Sequence, residues 1–179
     1  FVDVCTRRVS NMSIHFVKGD MLEAKLDYYC HQVNCQGRMA SGIAKSIKTR
    51  WHRVYEDYIA LCDKREAEIY QMYGGMENGL DWTETLLGEI QLVPVDVDKT
   101  VINMFAQQYY GYDGKRYTSY DGFWSCLGKI REQVPMGSKI GFPDHIGCGL
   151  GGANWEVIKT MIWEALSEDY DVYIYKLEA

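Results

Sequence analysis

What these 179 residues lack already excludes several kinds of chemistry. The six cysteines form no CxxC pair and no dense framework, and none of the four histidines stands at zinc-finger spacing from a cysteine pair. No metal site is therefore expected, and scattered thiols fit a reducing, cytoplasmic compartment. A basic excess is missing as well. The net charge of −6 argues against the broad electrostatic grip that general nucleic-acid binding needs. No apolar run approaches the roughly 18 residues of a membrane span, and no signal peptide is evident. The chain does not begin with methionine. Met12 is the first one, so residues 1–11 are read as a flexible leader and 12–179 as a single domain.

Glycine, by contrast, is concentrated where it carries information. In Ile140-Gly-Phe-Pro-Asp-His-Ile-Gly-Cys-Gly-Leu-Gly-Gly-Ala-Asn-Trp155, four of the six residues from Gly147 to Gly152 are glycine. An apolar strand precedes this loop and a helical pattern follows it. Bare backbone at a helix start presents amides to an anion, and the helix dipole favours negative charge there. Such a cradle needs no net positive charge, and its expected ligand carries phosphate.

Elsewhere the pattern alternates between strands and helices. Strands are expected at Ser13 to Lys18, Tyr28 to Asn34, Glu89 to Val95, Lys99 to Phe105, Lys139 to Phe142 and Asp171 to Leu177. Met39, Ile43, Ile47, Trp51, Tyr55, Tyr58 and Cys62 recur at helical spacing and predict one long helix. Residues 64–87, with turn signals at Gly74-Gly75 and Asn78-Gly79, read as a surface excursion. Thr118-Ser-Tyr-Asp121 has the form of a capping box opening a further helix, and Asn154 is an N-cap for the last one. This order predicts a three-layer α/β/α sandwich around a mixed, mostly parallel sheet. Ligands of such sheets sit where loops leave the carboxyl ends of strands. Gly19-Asp20, Asn34 to Gly42, Gln107 to Tyr117 and Gly147 to Asn154 all leave strands in that way.

Gly147, Gly149 and Gly152 formally satisfy GxGxxG, but that fingerprint belongs to a first strand–helix turn with an acidic residue about 20 positions on. Here it lies near the C-terminus with one strand left to follow, which speaks against a dinucleotide-dependent dehydrogenase. No GK[ST] follows the loop, so it is not an ordinary P-loop either.

Taken together, Lys18-Gly-Asp-Met21, Val33-Asn-Cys-Gln-Gly-Arg-Met-Ala-Ser-Gly-Ile-Ala44, Asn103-Met-Phe-Ala-Gln-Gln108 and Ile146-Gly-Cys-Gly-Leu-Gly-Gly-Ala-Asn-Trp155 give the chain a resemblance to macro domains. More narrowly, it resembles the branch containing ADP-ribose-1″-phosphate phosphatases and terminal ADP-ribose glycohydrolases. The resemblance spans roughly Met12 to Leu177. It implies ADP-ribose or ADP-ribose-1″-phosphate as ligand, free or attached to ADP-ribosylated macromolecules, and no cofactor. Asp20, followed by Met21, would accept a hydrogen bond from the adenine amino group, and Asn34 would bind the distal ribose. Gly42 and Ile43 would supply amides, and Gly147, Cys148, Gly149, Leu150, Gly151 and Gly152 would wrap the phosphates. Tyr175 is the candidate for packing on adenine.

The departures bear on activity. Members that remove ADP-ribose from acidic side chains carry a lysine after the central strand and an aspartate in the glycine loop; here Gln107 and Gly151 stand at those positions. Glutamine cannot form a covalent adduct, which counts against a glycohydrolase. The expected activity is hydrolysis of ADP-ribose-1″-phosphate to ADP-ribose and phosphate, without metal. His145 is the first candidate for the acid or base, and Asp113, on the tyrosine-rich loop, the second. A non-catalytic reader of ADP-ribose is the alternative.

Overall fold

The computed structural model describes residues 14–74 and 79–178, so the expected leader lies outside the described residues. Among the described residues, six strands form one sheet: β1 (Ile14–Lys18), β2 (Tyr28–Asn34), β3 (Ile90–Asp96), β4 (Lys99–Gln107), β5 (Lys139–Pro143) and β6 (Asp171–Lys176). Their order is β1-β6-β5-β2-β4-β3, and only β3 runs antiparallel to its neighbour. The expected mixed, mostly parallel α/β/α sandwich is what the chain forms.

Alternation along the strands fills two cores. On β4, Ile102, Met104 and Ala106 point into one cluster while Val101 and Phe105 point into the other. Helices α3 (Tyr120–Gln133) and α4 (Trp155–Leu166) close the first, burying Phe123, Leu127, Ile158 and Ile162. Helices α1 (Gly42–Arg50) and α2 (His52–Tyr73) close the second, burying Ile47, Val54 and Tyr58.

Three expectations need correction. The long helix is two, because Trp51 leaves helical geometry (φ −131°, ψ 79°). Its ring packs edge-on against buried Tyr29 at 5.4 Å, which anchors the break. The excursion expected from residue 64 is instead a continuation of α2 to Tyr73, ended by Gly74 in the left-handed region. Lys64, Arg65, Glu66 and Glu68 favour helix but supply no apolar stripe, so periodicity alone misses them. Finally, Ser119 rather than Thr118 caps α3, its side chain accepting from the Gly122 amide. Thr118 is buried and employed elsewhere.

Candidate functional site

Three adjoining cavities form a trough across the carboxyl ends of the strands. The first, about 540 Å³, is lined by Asp20, Met21, Gly42, Ile43, Asp144 and Tyr175. The second, about 450 Å³, shares Gly42, Ile43 and Asp144 with it and adds His145 and most of the glycine loop. The third, about 280 Å³, shares Gln32, Ser41, Gln107 and Leu150 with the second and adds Asn34, Arg38, Tyr110 and Tyr112. The loops expected to converge do so.

Each wall has a local cause. Asp20 caps the short turn Met21–Glu23 by accepting from the Leu22 amide at 2.9 Å, which fixes its carboxylate at the rim. The Gly19 amide donates to Lys176 O and the Asp144 amide to Tyr175 O, so hydrogen bonding at the strand ends ties these loops together. The hydroxyl of Tyr175 is pushed above its ordinary pKa by burial, then by nearby Tyr29, so it stays protonated. Opposite, α1 starts at Gly42 without a side-chain cap from Ser41, leaving first-turn amides and the dipole open to the trough. Across from it, the amides of Gly147, Gly149, Leu150 and Gly151 have no acceptor among the described residues. Residues carrying two sets of amides without an acceptor among the described residues thus line one groove.

Gly151 is bare for a steric reason. A Cβ there would lie 2.4 Å from Thr118 Oγ1 and 2.5 Å from Gly147 O, so the loop has no room for an aspartate. Gly152 abuts the Lys115–Arg116 backbone and does not line the trough. Cys148 also turns away. Its side chain packs on the core, and its thiol is raised by burial and then by the Asp144 charge, so it stays protonated.

Asn34 is less free than its expected ribose-binding role implies. Its Oδ1 accepts from the Gln36 amide (3.0 Å) and lies 2.8 Å from the Tyr58 hydroxyl, while Nδ2 donates to Arg38 O at 2.9 Å. It holds the 34–38 turn in shape and keeps one amide proton for a ligand.

The two catalytic candidates part company. Asp113 lines none of the three cavities. It sits on the exposed loop, accepting from the Tyr117 hydroxyl and the Lys115 amide, and these hold its carboxyl below the usual range. His145 does line the trough, in the middle cavity rather than the one containing Asn34. Its Nδ1 pairs with Asp144 Oδ2 at 2.6 Å, its ring stacks on Trp155 at 5.0 Å, and its backbone takes φ +58°. Nε2 has no protein partner among the described residues.

Among the lining residues, Gln32 was not singled out from the sequence. Gln32 Nε2 donates to Gln107 Oε1 (2.8 Å) and Thr118 Oγ1 (2.7 Å), and the Thr118 hydroxyl donates to Gly147 O at 2.8 Å. This chain ties the glycine loop to the tyrosine loop. The one available signal was a polar residue midway along a strand otherwise rich in apolar residues. Among the described residues, no group of three or more His, Cys, Asp or Glu side chains is placed to hold a metal, and no helix is long and apolar enough to cross a membrane.

No protein-family model matches the chain. Two curated relatives are the DNA ADP-ribosyl glycohydrolase of Thermus aquaticus, 23% identical over 165 residues, and that of Mycobacterium tuberculosis, 26% identical over 164 residues. The alignments cover 91% and 90% of this chain but 41% and 42% of those proteins, so it spans about two fifths of their length. The macrodomain of Mycobacterium tuberculosis DarG superposes with a TM-score of 0.66 at 23% identity, covering 91% of this chain and 97% of that one. A Bacteroides thetaiotaomicron protein of unknown function gives 0.69 at 24%, covering 92% and 98%. Thermosipho africanus DarTG in complex with ADP-ribose gives 0.65 at 20%, covering 90% and 41%. The chain has the macrodomain fold.

Proposed function

We propose that the chain binds ADP-ribose along the trough and hydrolyses the bond at the anomeric carbon of its distal ribose. The observation that carries this reading is that two rows of residues with unpaired amides, at the α1 N-terminus and at Gly147 to Gly151, line one groove. A diphosphate fits between them, with adenine toward Asp20 and Tyr175 and the distal ribose toward Asn34. Hydrogen bonds from backbone amides fixed before the ligand arrives cost little reorganisation.

The preferred substrate is ADP-ribose linked to nucleic acid, supported by the relatives named DNA ADP-ribosyl glycohydrolase. Water adds to the anomeric carbon, the glycosidic bond breaks, and its electron pair leaves with the nucleic acid, whose leaving atom is then protonated. Gln107 offers no amine and the Gly151 site no space for a carboxylate, so water attacks directly, with no lysine adduct. His145, oriented by Asp144 and Trp155, takes the proton of that water, which requires the anomeric carbon to lie where the middle and distal cavities meet, beside Gln32, Ser41 and Gln107. The same two departures favour a second reading, hydrolysis of the ester in ADP-ribose-1″-phosphate, with phosphate as the leaving group.

Calorimetry with ADP-ribose tests the site; an ADP-ribosylated oligonucleotide and ADP-ribose-1″-phosphate, assayed side by side, test the leaving group. Release of ADP-ribose from the oligonucleotide is expected. Phosphate release alone supports the second reading, and binding with neither reaction makes the chain a reader. No ADP-ribose binding overturns the proposal.

A further inference from the structure

Among the described residues, most helical elements begin at a residue type that ordinarily caps. Asp20, Asp81, Ser119 and Asn154 do cap, each side chain accepting from an amide two or three residues on. Ser41 does not. It stands at the N-cap of α1 in extended geometry (φ −145°, ψ 164°), yet its side chain accepts from no amide of the first turn. The residue is exposed, and its hydroxyl has no hydrogen-bond partner among the described residues. A serine placed to cap that leaves its hydroxyl unused forgoes stability that its counterpart Ser119 keeps.

The place of that hydroxyl gives it a use. Gln32, Ser41, Ala44, Gln107 and Leu150 line both the middle and the distal cavity, at the seam where His145 requires the anomeric carbon to lie. Among the polar side chains there, few protons are uncommitted. The Gln32 amide donates to Gln107 Oε1 and Thr118 Oγ1, so both its protons are in use. Its Oε1 is buried without a partner, which leaves a bare acceptor at the seam and no donor. Gln107 is held at both ends, its oxygen accepting from Gln32 and its nitrogen donating to Tyr109 O at 2.9 Å. The Ser41 hydroxyl is the donor at the seam that no contact holds in place.

We propose that Ser41 is a catalytic residue whose hydroxyl donates a hydrogen bond to the atom leaving the anomeric carbon. This rests on the hydrolytic reading of the trough, in which His145 takes the proton of the attacking water and the departing electron pair still needs a donor. Negative charge grows on the leaving atom as its bond to carbon breaks. The Ser41 O–H meets that charge and keeps its proton; solvent protonates the leaving atom, and the serine ends unchanged. The positive end of the α1 dipole lies at the same place and favours the same charge. The bare Gln32 oxygen would repel a developing anion, and its chemistry suits the attacking water instead. A nucleic-acid atom and a phosphate oxygen both depart with an electron pair, so the role is the same for either leaving group.

The test compares Ser41→Ala with Ser41→Thr and, as a control for capping, with Ser119→Ala. Turnover of an ADP-ribosylated oligonucleotide and of ADP-ribose-1″-phosphate is measured beside ADP-ribose calorimetry and thermal melts. Ser41→Ala is expected to lower kcat by about 10²-fold, the loss of one donor to developing charge. Its KM, ADP-ribose affinity and melting temperature should stay those of wild type. Ser41→Thr keeps a hydroxyl and should recover most of the rate. Ser119→Ala should do the reverse, melting lower at wild-type kcat. Unchanged kcat in Ser41→Ala, an equal loss in Ser41→Thr, or a melting temperature lowered in Ser41→Ala as in Ser119→Ala overturns the role of Ser41. A wild type that binds ADP-ribose but turns over neither substrate would sink the hydrolytic reading itself, and this role with it.

Discussion

At the Asp20 end the trough is walled by the ends of regular elements, whereas at the Asn34 end it is walled by loops tied together through side-chain amides. Gly19, Asp144 and Tyr175 hold the first end through backbone hydrogen bonds that extend the β1-β6-β5 pairing. Gln32, Gln107 and Thr118 hold the second, with the exposed tyrosine loop beyond them. Backbone pairing fixes a constant partner, and adenosine diphosphate is the constant part of the proposed substrates. Side-chain ties can be rebuilt one residue at a time, and the distal end is where leaving groups differ. In the proposed reading, recognition belongs to the first end and chemistry to the second.

The largest expected effect tests which end His145 serves. His145→Ala should lower turnover by about 10²–10⁴ while leaving ADP-ribose affinity in calorimetry nearly unchanged. A loss in affinity instead would assign His145 to recognition and erase the division.

A second measurement concerns the sheet beneath both ends. His31 is fully buried on β2, its Nε2 paired with Asn103 Oδ1, and burial lowers its pKa from 6.5 to about 4 despite that hydrogen bond. The unfolded chain therefore binds this proton more readily than the folded one. Stability is full above pH 6.5 and falls as pH drops through the window to about 4, by roughly 1.4 kcal/mol per pH unit at most. Thermal melts across that range should show the slope in wild type and lack it in His31→Gln. A slope that persists would place its origin in other groups.

Asp20→Asn keeps an oxygen for the Leu22 amide but removes the charge. It should weaken ADP-ribose binding by about 1.5–3 kcal/mol, as for a hydrogen bond to a charged group, with little change in melting temperature. Undiminished affinity would take adenine recognition away from this end. Gly151→Asp should cost about 1–3 kcal/mol of stability through overpacking, read as a lower denaturation midpoint. A variant that folds normally and gains glycohydrolase rate would show the loop to be more adjustable than its contacts imply. Thr118→Val removes the tie between Gln32 and Gly147 O. It should cost roughly 1 kcal/mol and raise KM more than it lowers kcat; an effect confined to stability would make the tie merely structural.

The elements near the site were the most legible part of the chain. The strands and the Asn154 cap lie within a residue or two of where pattern and capping chemistry put them, because those signals are local. The break at Trp51 was not legible, since it depends on the ring reaching Tyr29, 22 positions earlier. Nor was the α2 extension, whose residues are helical by propensity and not by an apolar stripe. At the site, sequence order indicated which loops share a cleft but not which atoms in them are already in use.

The sequence by itself determined a glycine-rich loop at a helix start, an α/β/α sheet to hold it, and a glutamine and a glycine where the resemblance puts a lysine and an aspartate. Only the tertiary structure decided what those features do. It committed most of Asn34 to its own turn, separated His145 from Asp113, and filled the space beside Gly151 with Thr118. Asn34 is held by its own turn and by Tyr58, 24 positions on, and the others depend on contacts between residues far apart in the chain. Local patterns cannot encode such contacts, because they form only when the sheet has brought its strand ends together.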